Sequence, residues 1–440
     1  MRKSKKKSKK RNFFTEIKAI FLKKESKSRK KVKDKKEIEI DDDKISEIVV
    51  ERNDGFNLVE VLFIVLVTVL FGIAAGYALS FTRPAGIEVS EEVQEIIATY
   101  ESIVENYYGE VNEDELLEAA IAGMVGTLDD PYSTFMSGTD ADTFNETVDG
   151  SFVGIGVTVL LENDKCKIID ILDDSPAEKA KLKVNDYLIK VGGETIEGLT
   201  LNEISMKIKG ERGSKVDLTI LRDNKEIEVS VKRDVVEVLS VSSRVIADDI
   251  GLIKIDTFAA NTAEQFEKQL KELEKKKIKS LVIDVRGNPG GRLGEVSDIM
   301  DLFLDKKKVI YQIESKSKKD KIYTKDSTKR SYPVVVLVDY SSASASEILA
   351  ASFQDNYKKA TLVGTVTYGK GTIQKAVSLS SGATVKYTTQ KWLTPKGVWI
   401  NEVGLTPDVL LEIGDAYCND PSDENDLQLQ KAIEILNKKN

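Results

Sequence analysis

Ser341 to Asp355 reads SSASASEILAASFQD and Tyr368 to Gln374 reads YGKGTIQ, in a chain of 440 residues that contains no histidine. A serine at the start of a helix and a lysine between two glycines, Gly369 and Gly371, are together able to carry out acyl transfer. With no imidazole, a Ser-His-Asp triad is excluded, and a zinc site would need two scattered cysteines and carboxylates. Cys166 and Cys418 show neither metal-ligand spacing nor a disulfide framework, so both are expected as free thiols and no metal or other cofactor is assigned. The base left for a serine is a lysine.

Such a lysine must be neutral to accept a proton, which burial away from carboxylates achieves by lowering its pKa from about 10.4 by a few units. Glycines at 369 and 371 let the backbone approach closely and leave the side chain in a tight pocket. Each residue also has a plainer reading. Ser344-Ala-Ser-Glu347 is a helix capping box, and an isolated GKG is a hairpin tip. Gly364 to Gly371, GTVTYGKG, nearly fits a phosphate-binding loop, but Gly371 stands where the metal-binding hydroxyl belongs and Thr365, Val366 and Thr367 stiffen the loop, so nucleotide binding is set aside.

The elements that must position these residues follow from composition and pattern. Residues 1–36 carry 18 Lys or Arg against Glu16, Glu25 and Asp34, in a chain whose net charge is −8. The remainder is therefore acidic, which argues against a nucleic-acid surface. Val61 to Phe81 runs 21 residues without a charge, enough to cross a hydrocarbon core of roughly 30 Å as a helix. The lysines before it place residues 1–58 in the cytoplasm and everything after Arg83 outside, so a single-pass protein of the cytoplasmic membrane is expected. The apolar run is longer than that of a cleaved signal peptide and lies farther from the start of the chain.

Residues 88–126 have apolar residues at helical spacing, and LDDPYSTFM, Leu128 to Met136, breaks that period with a turn at Asp130-Pro131. From Gly150 short β-rich runs take over, with short helices at DSPAEKAKL and Leu201 to Gly210. After Val235, strands such as LVIDV and VVVLV alternate with helices, which predicts a parallel or mixed α/β core. RGNPGG, Arg286 to Gly291, and YSSASAS, Tyr340 to Ser346, then fall at carboxyl ends of strands, where chemistry gathers. The expected divisions are a cytoplasmic tail (1–58), a membrane helix (59–82), a helical segment (88–147), a β-rich module (148–234), the α/β core (235–413) and a helical end (414–440).

The β-rich module resembles a PDZ domain through GIGV (Gly154, Ile155, Gly156, Val157), DSPAEKAKLKVNDYLIKVGGE and the helix before ERGSKVDLTILR. Lys181 and Asn185 stand where such domains place glycines. The resemblance implies that the N–H groups of the GIGV loop receive a peptide's C-terminal carboxylate and that the peptide adds a strand to the sheet edge. Together with DVRGNPGG, SASASEI, GKGTIQ and TPKGVWINEVGLTPDV, in that order from about residue 95, the chain resembles the carboxy-terminal processing peptidases, or tail-specific serine proteases. That resemblance implies Ser344 as nucleophile, Lys370 as base, and either Gln374 or Asp355 as the third residue. Ala345 and Gly290 would supply the N–H groups of an oxyanion hole at a helix N-terminus. It implies protein substrates with exposed C-terminal tails, delivered or gated by the PDZ-like domain, and a second copy as a partner for the terminal helices. The alternative is a PDZ scaffold that is silent or gated by a partner.

Overall fold

A computed structural model describes residues 62–63, 65–69, 90–163, 165–325 and 330–439. The expected membrane span lies largely outside the described residues. Among those described, no helix is long and apolar enough to cross a membrane.

Two helices come first, α1 (Glu91–Asn106) and α2 (Glu113–Gly126), the second capped by the Asn112 side chain on the N–H groups of Asp114 and Glu115. The Asp130-Pro131 turn follows, then strand β1 (Thr134–Met136) and helix α3 (Gly138–Asp149). Neither of these last two stands out in the sequence, because three strand residues are too few for a period and α3 buries only Ala141.

The β-rich module is an insert closed at its neck, where β2 (Ser151–Gly154) pairs antiparallel with β9 (Asp234–Glu237). Between them run β3 (Val157–Glu162), β4 (Lys165–Ile171), the short α4 (Pro176–Lys179), β5 (Tyr187–Val191), β6 (Glu194–Thr195), α5 (Leu201–Ile208), β7 (Lys215–Arg222) and β8 (Lys225–Lys232). The sheet order is β3-β4-β5-β7-β8, which leaves β3 at an edge beside α5. Ile155, Ile168, Leu188, Ile204, Leu218 and Ile220 form this module's own core. Lys181 and Asn185 adopt φ of 63° and 77°, the left-handed conformation expected of positions that favour glycine.

The α/β core is a six-stranded sheet in the order β10 (Val241–Ala247), β11 (Ile250–Ile255), β12 (Ser280–Asp284), β15 (Val334–Val338), β16 (Ala360–Gly364), β19 (Val409–Leu410), parallel except for β10. Every residue of β12 and β15 is buried, as strands covered on both faces require. Helices α6 (Thr262–Lys275), α7 (Leu293–Asp301) and α8 (Ala345–Asn356) enclose one cluster with Phe266, Ile283, Val336 and Phe353. After the short α9 (Asp415–Asn419), α10 (Leu427–Lys439) covers the other face through Leu429, Ala432 and Leu436.

A second, antiparallel sheet joins β1 to β18 (Thr384–Leu393), β13 (Val309–Glu314) and β14 (Lys319–Tyr323), with β17 (Thr372–Ser378) also on β18. This sheet brings the turn after α2 to the strand that follows Lys370.

Candidate active site

The two glycine- and serine-rich loops sit side by side because they leave the carboxyl ends of β12 and β15, which are adjacent parallel strands. Asp339, the first residue after β15, accepts N–H groups from Ser341 (3.0 Å), Ser342 (2.9 Å) and, from the other loop, Gly287 (3.0 Å). Ser342 Oγ donates to Val285 O (2.8 Å), while the Asn288 carbonyl accepts Ser346 Oγ (2.9 Å) and Ala343 N–H (3.1 Å). Asn288 itself is fully buried and anchors its loop through Nδ2 to Ile255 O (2.8 Å). The flanking serines of SASAS are thus structural, and Ser344 between them stays partly exposed at the helix start.

Ser344 has φ 55° and ψ −112°, a conformation rare for a residue with a side chain and maintained only where the surroundings impose it. It precedes the first turn of α8, whose leading amides have no intrahelical partner. The Ala345 N–H makes no hydrogen bond among the described residues, as an oxyanion donor must. Gly290 presses on the same point, since a Cβ there would come 2.8 Å from Ser344 Cβ and 3.0 Å from Ala345 N. Its φ of 104° likewise favours glycine. Its own N–H, however, donates to Asn288 Oδ1 (2.8 Å), so in this conformation only the Ala345 amide of the expected pair is free.

The Lys370 loop is fastened to the helix that Ser344 begins by one buried carboxylate. Glu347, 0% exposed, accepts Ser344 N–H (2.8 Å) and Lys370 N–H (3.0 Å) on Oε2, and Thr367 Oγ1 (2.6 Å) and Gly369 N–H (2.7 Å) on Oε1. Burial pushes its pKa up, against the lowering effect of these four bonds. The Glu347 half of the capping box read from sequence is present, and the same carboxylate also holds a loop from another part of the chain. The TPKGVWINEVG segment secures the far side of that loop. Glu402 N–H donates to Gly369 O (2.8 Å) and Asn401 Oδ1 accepts Gly371 N–H (3.0 Å), while Trp392 Nε1, on β18, donates to Lys370 O (2.8 Å). A Cβ on Gly371 would meet Trp399 Nε1 at 2.7 Å, which is the close approach the flanking glycine permits.

Burial lowers the Lys370 pKa, and the positive charge of Lys386 lowers it further, while Asp130 and Glu347 act the other way. The amine rests over the Tyr132 ring, 4.5 Å from its centre. No hydrogen bond joins it to Ser344 Oγ or to Gln374 among the described residues. Gln374 lies on β17 beside a bulge in the β17–β18 pairing, with Nε2 donating to Thr372 Oγ1 (2.9 Å) and Thr388 Oγ1 (3.0 Å). That arrangement points the amide's nitrogen end at hydroxyls and leaves its carbonyl oxygen available as an acceptor.

Asp355, the other candidate for third residue, is not brought to the site. It lies eleven residues along α8 from Ser344, roughly 16 Å at the helical rise. Its carboxylate bonds the Lys396 backbone (3.2 Å) and ammonium (2.9 Å).

In the inserted module, Gly154 ends β2 and Val157 begins β3. The N–H groups of Ile155 and Gly156 between them make no hydrogen bond among the described residues, whereas their carbonyls accept from Ala177 and Leu172. The loop therefore offers donors next to the open edge of β3.

Sequence reasoning missed Glu347 as a clamp, Asn288 as the anchor of its loop, and Tyr132 and Lys386 beside the base. The first was visible only as a cap. The others are marked by nothing except the turn at Asp130-Pro131.

The chain is similar to known proteins over most of its length. The model of peptidase family S41 matches residues 249–411, that of a PDZ domain residues 153–232, and that of the activating protease CtpB N-terminal domain residues 79–143. The chain is 40% identical over 366 residues to carboxy-terminal processing protease CtpB of Bacillus subtilis (strain 168), covering 81% of this chain and 75% of that protein. It is 38% identical to carboxy-terminal processing protease CtpA of the same organism, over 81% of this chain and 78% of that protein. A probable CtpA-like serine protease of Staphylococcus saprophyticus is 35% identical, over 79% and 71% of the two chains.

Proposed function

We propose, for a chain that belongs to peptidase family S41 and is a carboxy-terminal processing serine protease, that Ser344 and Lys370 form its catalytic dyad and that it works outside the cytoplasmic membrane. The observation that carries this reading is the Glu347 carboxylate, which holds the backbones of both residues in a chain without histidine.

In the reaction, Ser344 Oγ attacks the scissile carbonyl carbon as its proton passes to the neutral Lys370 amine. The Ala345 N–H stabilises the oxyanion, with the Gly290 amide joining once it leaves Asn288. Lys370 then gives its proton to the leaving amine, and a water deprotonated by the same amine hydrolyses the acyl-enzyme. Gln374 orients the amine through its carbonyl oxygen, which adds no charge to raise the lysine pKa.

The GIGV loop, Gly154 to Val157, receives the substrate's terminal carboxylate while the tail adds a strand to β3. An exposed tail needs no unfolding before cleavage. Residues 61–81 anchor the protein with its basic end in the cytoplasm. The exposed apolar side chains of α1, Val93, Ile96 and Ile97, suit pairing with a second copy.

A gated form of the same enzyme is favoured by one observation, the lack of a hydrogen bond between the Ser344 and Lys370 side chains. Cleavage of a disordered protein ending in apolar residues, compared with the same protein amidated at its C-terminus, tests the tail reading. The free carboxylate should lower KM several-fold, and equal KM values would remove the role given to the GIGV loop.

A further inference from the structure

The turn after α2 takes no part in the reaction described above, yet it touches the base. Asp130 accepts the Tyr132 N–H (3.2 Å) and Ser133 Oγ (2.5 Å), and Pro131 lies between them. Ser133 Oγ in turn accepts the Thr388 N–H (3.1 Å), and β1 pairs in register with β18, Thr134 opposite Lys386. Tyr132 is therefore fixed beside β18, the strand that also pairs with β17. Burial, followed by a side-chain hydrogen bond to Tyr368, pushes the Tyr132 phenol up to about 12, so it stays neutral across the working pH range.

From these contacts the geometry points to Tyr132 as a positioning residue for the base: its ring is the resting seat of the Lys370 ammonium, and the amine leaves it for Ser344 on losing its proton. The attraction between ring and amine exists only for the charged form. Protonation and position are thereby coupled. The ammonium is held at 4.5 Å over the ring, with neither Ser344 nor Gln374 in hydrogen-bond contact, whereas the neutral amine gains nothing from the ring and a hydrogen bond from the serine. The other charged or titratable groups facing the amine are Asp130 on the same turn, Glu347 on α8, Lys386 on β18 and Tyr368 on its own loop. The helical segment before the inserted module thus completes the active site instead of only leading to it.

This inference rests on Lys370 being the base, and its test separates the two claims. The pH profile of kcat/KM for an unstructured peptide is measured on the full chain, with Tyr132 replaced by Leu, Phe or Trp and with Lys370→Met as control. Tyr132→Leu keeps apolar cover but removes the ring, and its acidic limb should move down by about half a pH unit or more. Tyr132→Trp, with a stronger ring, should move the limb up, and Tyr132→Phe should hold it near the starting pH. If Tyr132→Leu does not fold, the Trp and Phe variants still read the sign. A limb that stays put in every variant, or activity lowered equally at every pH in Tyr132→Leu, would reduce Tyr132 to a packing role. Activity surviving in Lys370→Met would instead overturn the assignment of the base.

Discussion

The backbone N–H of Lys370 donates to the Glu347 carboxylate, three residues into the helix that Ser344 begins, through the same oxygen that accepts the Ser344 N–H. Ser344 and Lys370, the proposed nucleophile and base, are thus registered through their main chains, whatever the rotamers of their side chains. Because Glu347 is buried and accepts four hydrogen bonds, Glu347→Ala strands four donors. The variant should lose about 3 kcal/mol or more of stability and at least about 100-fold in kcat, read by denaturant unfolding and turnover. Glu347→Gln, which retains one acceptor oxygen, should fall between.

Lys386 contributes a like charge near the base. In the proposed mechanism the active form of Lys370 is the neutral amine, so activity should rise with pH through its folded pKa, which lies below the ordinary lysine value. Lys386→Met removes a charge that lowers that pKa, and the acidic limb of kcat/KM should move to higher pH. Asp130→Asn removes a charge that raises it and should move the limb the other way. Identical profiles in the two variants would contradict the electrostatic account.

Reach favours Gln374 over Asp355 as the third residue of the proposed centre. Asp355 is tied to Lys396 beyond the far end of α8, so Asp355→Asn should change kcat by no more than about 3-fold. Gln374→Ala, which loses the acceptor meant to orient the amine, should lower kcat by about 10- to 100-fold. Measured side by side, a larger loss in the Asp355 variant would reverse the assignment.

Arg286 secures the loop beside the nucleophile to the C-terminal helix. Its guanidinium binds both oxygens of Asp284 (2.9 and 2.7 Å) and both of Asp426 (3.0 and 2.8 Å), and Gln428 accepts a fifth bond at 3.0 Å. Burial works against the charge, but the two carboxylates hold its pKa well above the usual arginine range. Lysine cannot reproduce this fork. Arg286→Lys should therefore destabilise the protein by about 3–5 kcal/mol, measured by urea unfolding.

What the sequence disclosed depended on how local the signal was. Ser344 and Lys370 stood out because the missing histidine left few bases, and β12 and β15 because buried strands are continuous apolar runs. The inserted module was legible from its turns, down to the left-handed Lys181 and Asn185. The second sheet was not, since β14 alternates exposed and half-buried residues and β17 mixes them without a period, neither with a fully buried face. Glu347 looked like a helix cap because its other partners, Thr367, Gly369 and Lys370, lie about twenty residues away. Tyr132 looked like part of a turn because its contact with Lys370 spans more than two hundred residues. Such pairings are written in the topology of β1, β17 and β18, which no short window of residues contains.

The most direct measurement is cleavage of a disordered protein with an apolar C-terminus by the full chain in detergent, beside Ser344→Ala and Lys370→Ala, each with and without a chelator. Cleavage abolished in both variants and indifferent to the chelator is the predicted result. Cleavage that persists in Ser344→Ala, or that the chelator stops, would contradict a Ser-Lys centre.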